Sequence, residues 1–138
     1  MPQKINSSLV PGTLEDELPL DATCGLYVDT NFEAMLREVN RRIERLQVAV
    51  ERKGAAECNE QFNAVCRKIR DVKLEFPKVL ACYRDEYKDN YDHCLELAEH
   101  AAELAVAAPH EDVKKSLARH ASELREMRDR FYDQAASN

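Results

Sequence analysis

The chain has few of the residues that sheets and their turns require. Its 138 residues include only three glycines and no tryptophan. Ala, Glu, Leu, Arg and Lys, which are good helix formers, fill the region after residue 30. A sheet protein normally needs more turn residues between its strands. The composition therefore predicts an all-α protein, and the length fits one domain.

The chain also lacks an excess of positive charge and a long apolar run. Its formal net charge is -6, and its lysines and arginines form no cluster that would displace counterions from phosphates. The best apolar run, Leu104 to Ala108, is far shorter than the ~20 residues needed to cross a bilayer. We therefore expect neither a nucleic-acid partner nor a membrane-spanning segment.

Residues 1–29 contain three prolines and two glycines and show no helical period. We expect an extended N-terminal arm over this range and a helical domain over residues 30–138. The arm has neither the Arg-rich character of a mitochondrial presequence nor the apolar core of a secretory signal. It is either a disordered tail or a strap laid over neighbouring subunits, anchored by Leu9, Leu18, Leu20, Leu26 and Tyr27.

Apolar spacing after residue 30 predicts four amphipathic helices. The first starts in a capping box at Thr30–Glu33 and stops at Gly54. The second covers about 55–75, the third starts at Pro77, and the last follows Pro109. The predicted apolar faces are Leu36, Val39, Ile43, Leu46 and Val50 on the first helix; Phe62, Val65, Ile69 and Val72 on the second; and Val113, Leu117, Leu124, Met127 and Phe131 on the last.

Four of the five cysteines form two spaced pairs. On ideal helices Cys58 and Cys66 differ by ~80° around the axis, and Cys82 and Cys94 by ~120°, so each pair occupies roughly one side. If the second and third helices turn back on each other near Pro77, Cys66 lies near Cys82 and Cys58 near Cys94. This arrangement predicts an antiparallel helical hairpin over 55–108, stapled by two disulfides and flanked by two further helices.

Three other states of the cysteines stay open: free thiols in a cytosolic coiled coil, a zinc site, and redox-active thiols. Zinc knuckles prefer cysteines two to four residues apart, and the redox motif Cys-x-x-Cys does not occur. Cys24 has no partner in the hairpin scheme. It is either a free thiol or pairs with another chain.

The second cysteine pair and its spacer resemble a known family. Eleven residues separate Cys82 from Cys94, the segment opens Cys82-Tyr83-Arg84-Asp85-Glu86, and Tyr91 stands shortly before Cys94. Over about residues 58–98 this pattern is similar to the PDSW-type accessory subunit of mitochondrial respiratory complex I. The Cys-x11-Cys element carries most of the resemblance.

The resemblance implies a non-catalytic accessory subunit of NADH:ubiquinone oxidoreductase. Such a subunit is held peripherally on the intermembrane-space side of the mitochondrial inner membrane, where its partners are other subunits of the complex. The resemblance also implies that the protein is imported by oxidative trapping and without a cleaved presequence. Two other structural roles stay open: a subunit or assembly factor of another inner-membrane complex, and a cytosolic coiled-coil adaptor with reduced thiols.

No residues of the sequence point to catalysis, to a metal or to a cofactor. The segment His110–Lys114 begins like a zinc protease motif, but it lacks the second histidine one turn later. His93 and His100 lie ~10 Å apart along one helix, too far to share an ion easily. We therefore predict no catalytic residue, no cofactor-binding residue and no metal ligand.

Tyr83, Tyr87 and Tyr91 form a stripe at i, i+4 spacing on the third helix. Tyrosines at such spacing are more often packing residues, with their hydroxyls at the rim, than a platform for a ligand. We therefore expect these three side chains to contact a partner subunit.

Overall fold

The computed structural model describes residues 32–82 and 87–137. In this part of the chain it contains four α-helices: α1 (Phe32–Lys53), α2 (Asn59–Cys82), α3 (Tyr87–Ala107) and α4 (Glu111–Ser137). A short 3-10 helix, Ala56–Cys58, precedes α2. The all-α prediction is confirmed for these residues, and none of their helices is long and apolar enough to cross a membrane. The predicted arm, 1–29, lies outside the described residues.

The end of α1 at Gly54 agrees with the sequence. The last helical residue is Lys53, and Gly54 follows with φ +95°, a left-handed conformation that residues with a Cβ rarely adopt. The Gly54 amide donates a hydrogen bond to the Val50 carbonyl at 2.8 Å, which satisfies one carbonyl of the last turn. The chain can therefore reverse direction over a few residues before α2.

The helix α2 is longer than predicted, because it continues through Pro77. A proline inside a helix removes a backbone hydrogen bond and costs about 3 kcal/mol or more. On either side of it, Phe76 and Val79 are 6% and 0% exposed, so burial of this face favours continued helix. The prediction that the second helix ends before Pro77 is therefore wrong, and the third begins at Tyr87 instead.

The boundary between α3 and α4 falls at Pro109, as the sequence predicts. The Ala108 amide donates to the Ala105 carbonyl at 3.4 Å, and α4 begins at Glu111. Glu111 and Asp112 lie in the first turn of α4, where their negative charges stabilise the positive end of the helix dipole. This short connection makes α3 and α4 antiparallel neighbours.

The helices form two antiparallel hairpins, α1–α2 and α3–α4, which pack side by side. The main contacts between helices join α1 to α2, α3 to α4, α1 to α3, and α2 to α4. Contacts between the hairpins run in parallel register: Asn40 meets His100 and Gln47 meets Glu103 further along both helices. The structure thus differs from the predicted hairpin over 55–108, because α2 and α3 occupy opposite corners of the bundle.

The apolar faces predicted from spacing form one core. Every predicted residue on α2 and α4 is buried, and on α1 only Val50 is half-buried. From α3, Leu97 and Leu104 enter the same core, and the small residues Ala98 and Ala101 between them are also fully buried. Helix periodicity therefore identified the buried faces, although it did not identify which helices would be neighbours.

We expect Leu97→Ala and Leu74→Ala to differ sharply in their effect on stability. Leu97 is fully buried on α3, whereas Leu74 is 69% exposed on α2, and both substitutions change helix propensity equally. Urea unfolding should show a loss of about 2–5 kcal/mol for Leu97→Ala and a change within about 0.5 kcal/mol for Leu74→Ala. Equal losses would contradict the orientation of these helices.

Candidate functional site

The thiols of Cys58, Cys66 and Cys94 are free and buried. Their exposed fractions are 0%, 4% and 0%, respectively. Burial raises the pKa of the Cys94 thiol to about 12, and it also raises the pKa of the Cys66 thiol. A raised pKa keeps the thiols of Cys66 and Cys94 protonated, and a protonated thiol is a poor nucleophile and a poor metal ligand. All three buried cysteines pack as small apolar residues of the core.

The structure forms neither of the two predicted disulfides, because each pairing includes at least one of these free thiols. The arrangement of the hairpins explains the difference. Cys66 faces α4 and not α3. The Ser116 hydroxyl on α4 donates a weak hydrogen bond to the Cys66 sulfur at 3.8 Å. The side chain of Cys82 and the whole of Cys24 lie outside the described residues.

The predicted tyrosine stripe is described at one position, Tyr91. Tyr83 and the side chain of Tyr87 lie outside the described residues. The Tyr91 ring is half-buried, and its centroid lies 5.4 Å from that of Tyr132 on α4, with an angle of 45° between the planes. Tyr132 is 58% exposed. A groove of about 400 Å³ lies beside the two rings and is also lined by Lys88, Asp92, Ala135 and Ala136. We call the two tyrosines and this groove the tyrosine surface.

A polar cluster centred on the buried His120 joins α2 to α4. The Lys73 ammonium lies 3.0 Å from His120 Nδ1 and also donates to the Glu123 carboxylate. An ammonium can only donate, so His120 Nδ1 accepts and the ring is neutral. Burial, and after it the charge of Lys73, lowers the pKa of His120 to about 4. The hydrogen bond from Lys73 lowers the pKa of Glu123.

A second polar cluster joins α1 to α3. Asn40 is only 4% exposed; its amide nitrogen donates to the His93 carbonyl at 3.4 Å, and its oxygen lies 3.0 Å from His100 Nδ1. An amide oxygen only accepts, so His100 Nδ1 carries the hydrogen. His93 and His100 are thus both tied to Asn40, His93 through its backbone carbonyl and His100 through its ring. Among the residues described, no three His, Cys, Asp or Glu side chains are grouped to hold a metal ion.

Sequence reasoning did not identify Asn40, Lys73, His120 or Tyr132. A signal existed for two of them: Asn40 and His120 stand within apolar faces, next to Val39 and Ala121, where an unpartnered polar group would be costly. Their partners lie on other helices, 47 to 60 residues away along the chain, so the pattern of one helix could not name them.

The lowered pKa of His120 makes stability depend on pH. Above pH 6.5, the ordinary value, the ring is neutral in both the folded and the unfolded chain. Between 6.5 and about 4 the unfolded chain binds a proton that the folded chain does not, so stability falls as the pH falls. Between pH 7 and about pH 5, we expect the free energy of unfolding of the native protein to fall by about 2 kcal/mol more than that of the His120→Gln variant.

Urea unfolding at both pH values measures this difference. The matched control is His110→Gln, which replaces an exposed histidine and should retain the pH dependence of the native chain. If His120→Gln loses as much stability as the native chain on acidification, the buried neutral state of His120 is contradicted.

Comparison with known proteins identifies no relative. No protein-family model matches the chain, and no curated protein and no solved structure matches it significantly.

Proposed function

We propose that this protein is a non-catalytic structural subunit of a larger protein assembly, and that it contacts its neighbour through the tyrosine surface. The observation that carries this proposal is the pair formed by Tyr91 and Tyr132. One ring is anchored in the bundle, while the other stands 58% exposed beside it. Tyrosine suits such a role, because it offers a large rigid apolar body with a polar hydroxyl at its edge.

The surroundings of the two rings also suit an interface. Ala135 and Ala136 give the groove a low apolar wall, and Lys88 and Asp92 place one charge of each sign at its rim. Protein interfaces commonly combine an aromatic centre with a polar rim. By contrast, the other large exposed apolar residues within 32–82 and 87–137, Val48, Leu74 and Val106, lie on three different helices. Apolar residues scattered singly are ordinary on a protein surface and need no partner.

The specific form of the proposal is a PDSW-type accessory subunit of mitochondrial complex I on the intermembrane-space side. It is supported by the eleven-residue spacing of Cys82 and Cys94 and by the residues at 82–86. Tyr91, which lies between these two cysteines, is part of the tyrosine surface. In such a subunit the helices would stabilise the membrane arm from its periphery.

A second candidate is a cytosolic helical adaptor whose thiols stay reduced. The observation that favours it is the burial of three free thiols inside a complete four-helix core. In this fold the thiols stabilise the protein as small apolar side chains, so the bundle needs no oxidation to be stable. The two candidates share the tyrosine surface and differ in the assembly and the compartment in which they would be found.

The proposed contact predicts that Tyr132→Glu releases the protein from its assembly. A charge placed at the centre of an interface must be desolvated, whereas Tyr132 in the free protein is exposed and tolerates the change. On native gels of mitochondrial membranes, we expect the native chain to migrate with complex I and Tyr132→Glu to migrate as the free protein. The matched control, Leu74→Glu, replaces another exposed apolar residue and should remain in the complex.

Fractionation of the same material separates the two candidates. Recovery from mitochondrial membranes, with migration at the size of complex I, supports the accessory subunit. Recovery from the cytosol, away from any mitochondrial complex, supports the adaptor. A chain that remains monomeric in every fraction, with Tyr132→Glu indistinguishable from native, contradicts both.

A further inference from the structure

A second groove, between α1 and α2, is lined on one side by arginines and has no acidic residue in its lining. Its floor consists of Leu46 and Val65, both 3% exposed, and of two half-buried alanines, Ala49 and Ala64. The groove holds about 260 Å³ and is bordered by Arg42, Arg45 and Gln61. An apolar floor beside two guanidinium groups fits a segment that alternates apolar side chains with carboxylates.

The two arginines differ in their present partners. Arg42 Nε donates to Glu38 at 3.1 Å, on the exposed side of the same helix. Arg45 forms no ion pair with any of the described residues and is exposed. At least one guanidinium at this groove is therefore available for a carboxylate, and a guanidinium can bind a carboxylate in a bidentate manner.

The chain itself contains a segment with the required chemistry at residues 14–21. Its sequence, Leu-Glu-Asp-Glu-Leu-Pro-Leu-Asp, carries three leucines and four acids with no base. The first 31 residues hold one further acid, Asp29, and a single base, Lys4. The acidic charge of this part of the chain is thus concentrated beside its leucines.

The length of chain before α1 allows this segment to reach the groove. Leu18 stands fourteen residues before Phe32, a span of at most ~50 Å when extended. Arg42 to Leu46 lie ten to fourteen residues into α1, about 15–21 Å from its first residue. The extended chain from Leu18 to Phe32 is more than twice as long as the distance from Phe32 to the groove, so the chain can turn back along α1.

We propose that residues 14–21 bind in the groove between α1 and α2 of the same molecule. The leucines cover Leu46 and Val65, and the carboxylates pair with Arg42 and Arg45. A tethered segment experiences an effective concentration of about a millimolar, so a weak intrinsic affinity is sufficient for occupancy. This inference is independent of the proposed assembly role, because its test uses the isolated full chain.

A tryptophan reporter tests the proposal directly. The chain has no tryptophan, so Leu18→Trp introduces a single fluorophore into the full chain. We expect its emission maximum to lie at shorter wavelength than in the urea-unfolded protein, because the indole is shielded from water. Arg42→Glu with Arg45→Glu should move the emission toward the unfolded value. Adding Glu15→Lys and Glu17→Lys to that variant should restore the short-wavelength emission.

The matched control is Arg67→Glu with Arg70→Glu, which changes the net charge equally at a different groove, between α2 and α4. It should leave the reporter emission unchanged. If Arg42→Glu with Arg45→Glu weakens the bundle, as circular dichroism will show, Glu15→Lys with Glu17→Lys alone should give the same loss of shielding.

Three results would overturn the proposal. The first is a reporter in the otherwise native chain whose emission matches that of the unfolded protein. The second is an equal shift in the groove variant and in the control, which would indicate a general effect of charge. The third is shielding that disappears on dilution, which would place the segment in the groove of a second copy.

Discussion

The contact on which the rest of the structure depends is the burial of Phe131 between two other phenylalanines. Phe131 on α4 is fully buried; its ring centroid lies 6.0 Å from that of Phe32 on α1 and 5.1 Å from that of Phe76 on α2, the latter edge to face. Such aromatic pairs contribute about 0.5–1.5 kcal/mol each beyond area burial. One side chain thus ties the second hairpin to both helices of the first. The same contact explains why α2 continues through Pro77, since ending the helix there would withdraw Phe76 and Val79 from the core.

The two polar clusters fix the register between the hairpins. Lys73 with His120 joins α2 to α4, and Asn40 with His100 joins α1 to α3, so each parallel pair of helices has one cluster. Apolar faces alone would tolerate a shift by one helical turn, because residues at i and i+4 present similar surfaces. A shift would leave Asn40 and His120 buried without partners, at a cost of about 1–3 kcal/mol for each group. The buried polar residues therefore select one arrangement among several that bury similar apolar area.

The part of the fold that the sequence predicted is the part that depends on local spacing. Helix periodicity identified the buried faces, and Gly54 and Pro109 identified two of the helix boundaries. The pairing of the helices was not predictable from the cysteines, because spacing along one helix does not determine which helix a side chain faces. In addition, Cys82 ends α2 whereas Cys94 lies within α3, so these two cysteines do not share a helix. The loops were more informative: the short connections at Gly54 and Pro109 each favour a hairpin. Of the two rings in the tyrosine surface, the sequence singled out only Tyr91, through its i, i+4 spacing from Tyr87. Tyr132 lies beside it only because α3 packs on α4.

The hairpins of this protein are α1–α2 and α3–α4, and the thiols of Cys58, Cys66 and Cys94 fill the core rather than bridge it. The most direct measurement is the set of nuclear Overhauser effects among phenylalanine rings in the full-length protein, purified and measured without added reductant. We expect cross-peaks from Phe131 to both Phe32 and Phe76, with reduced cysteine shifts for Cys58, Cys66 and Cys94. The absence of both cross-peaks, together with the carbon shifts of oxidised cysteines, would contradict this arrangement and favour a disulfide-linked pairing of α2 with α3.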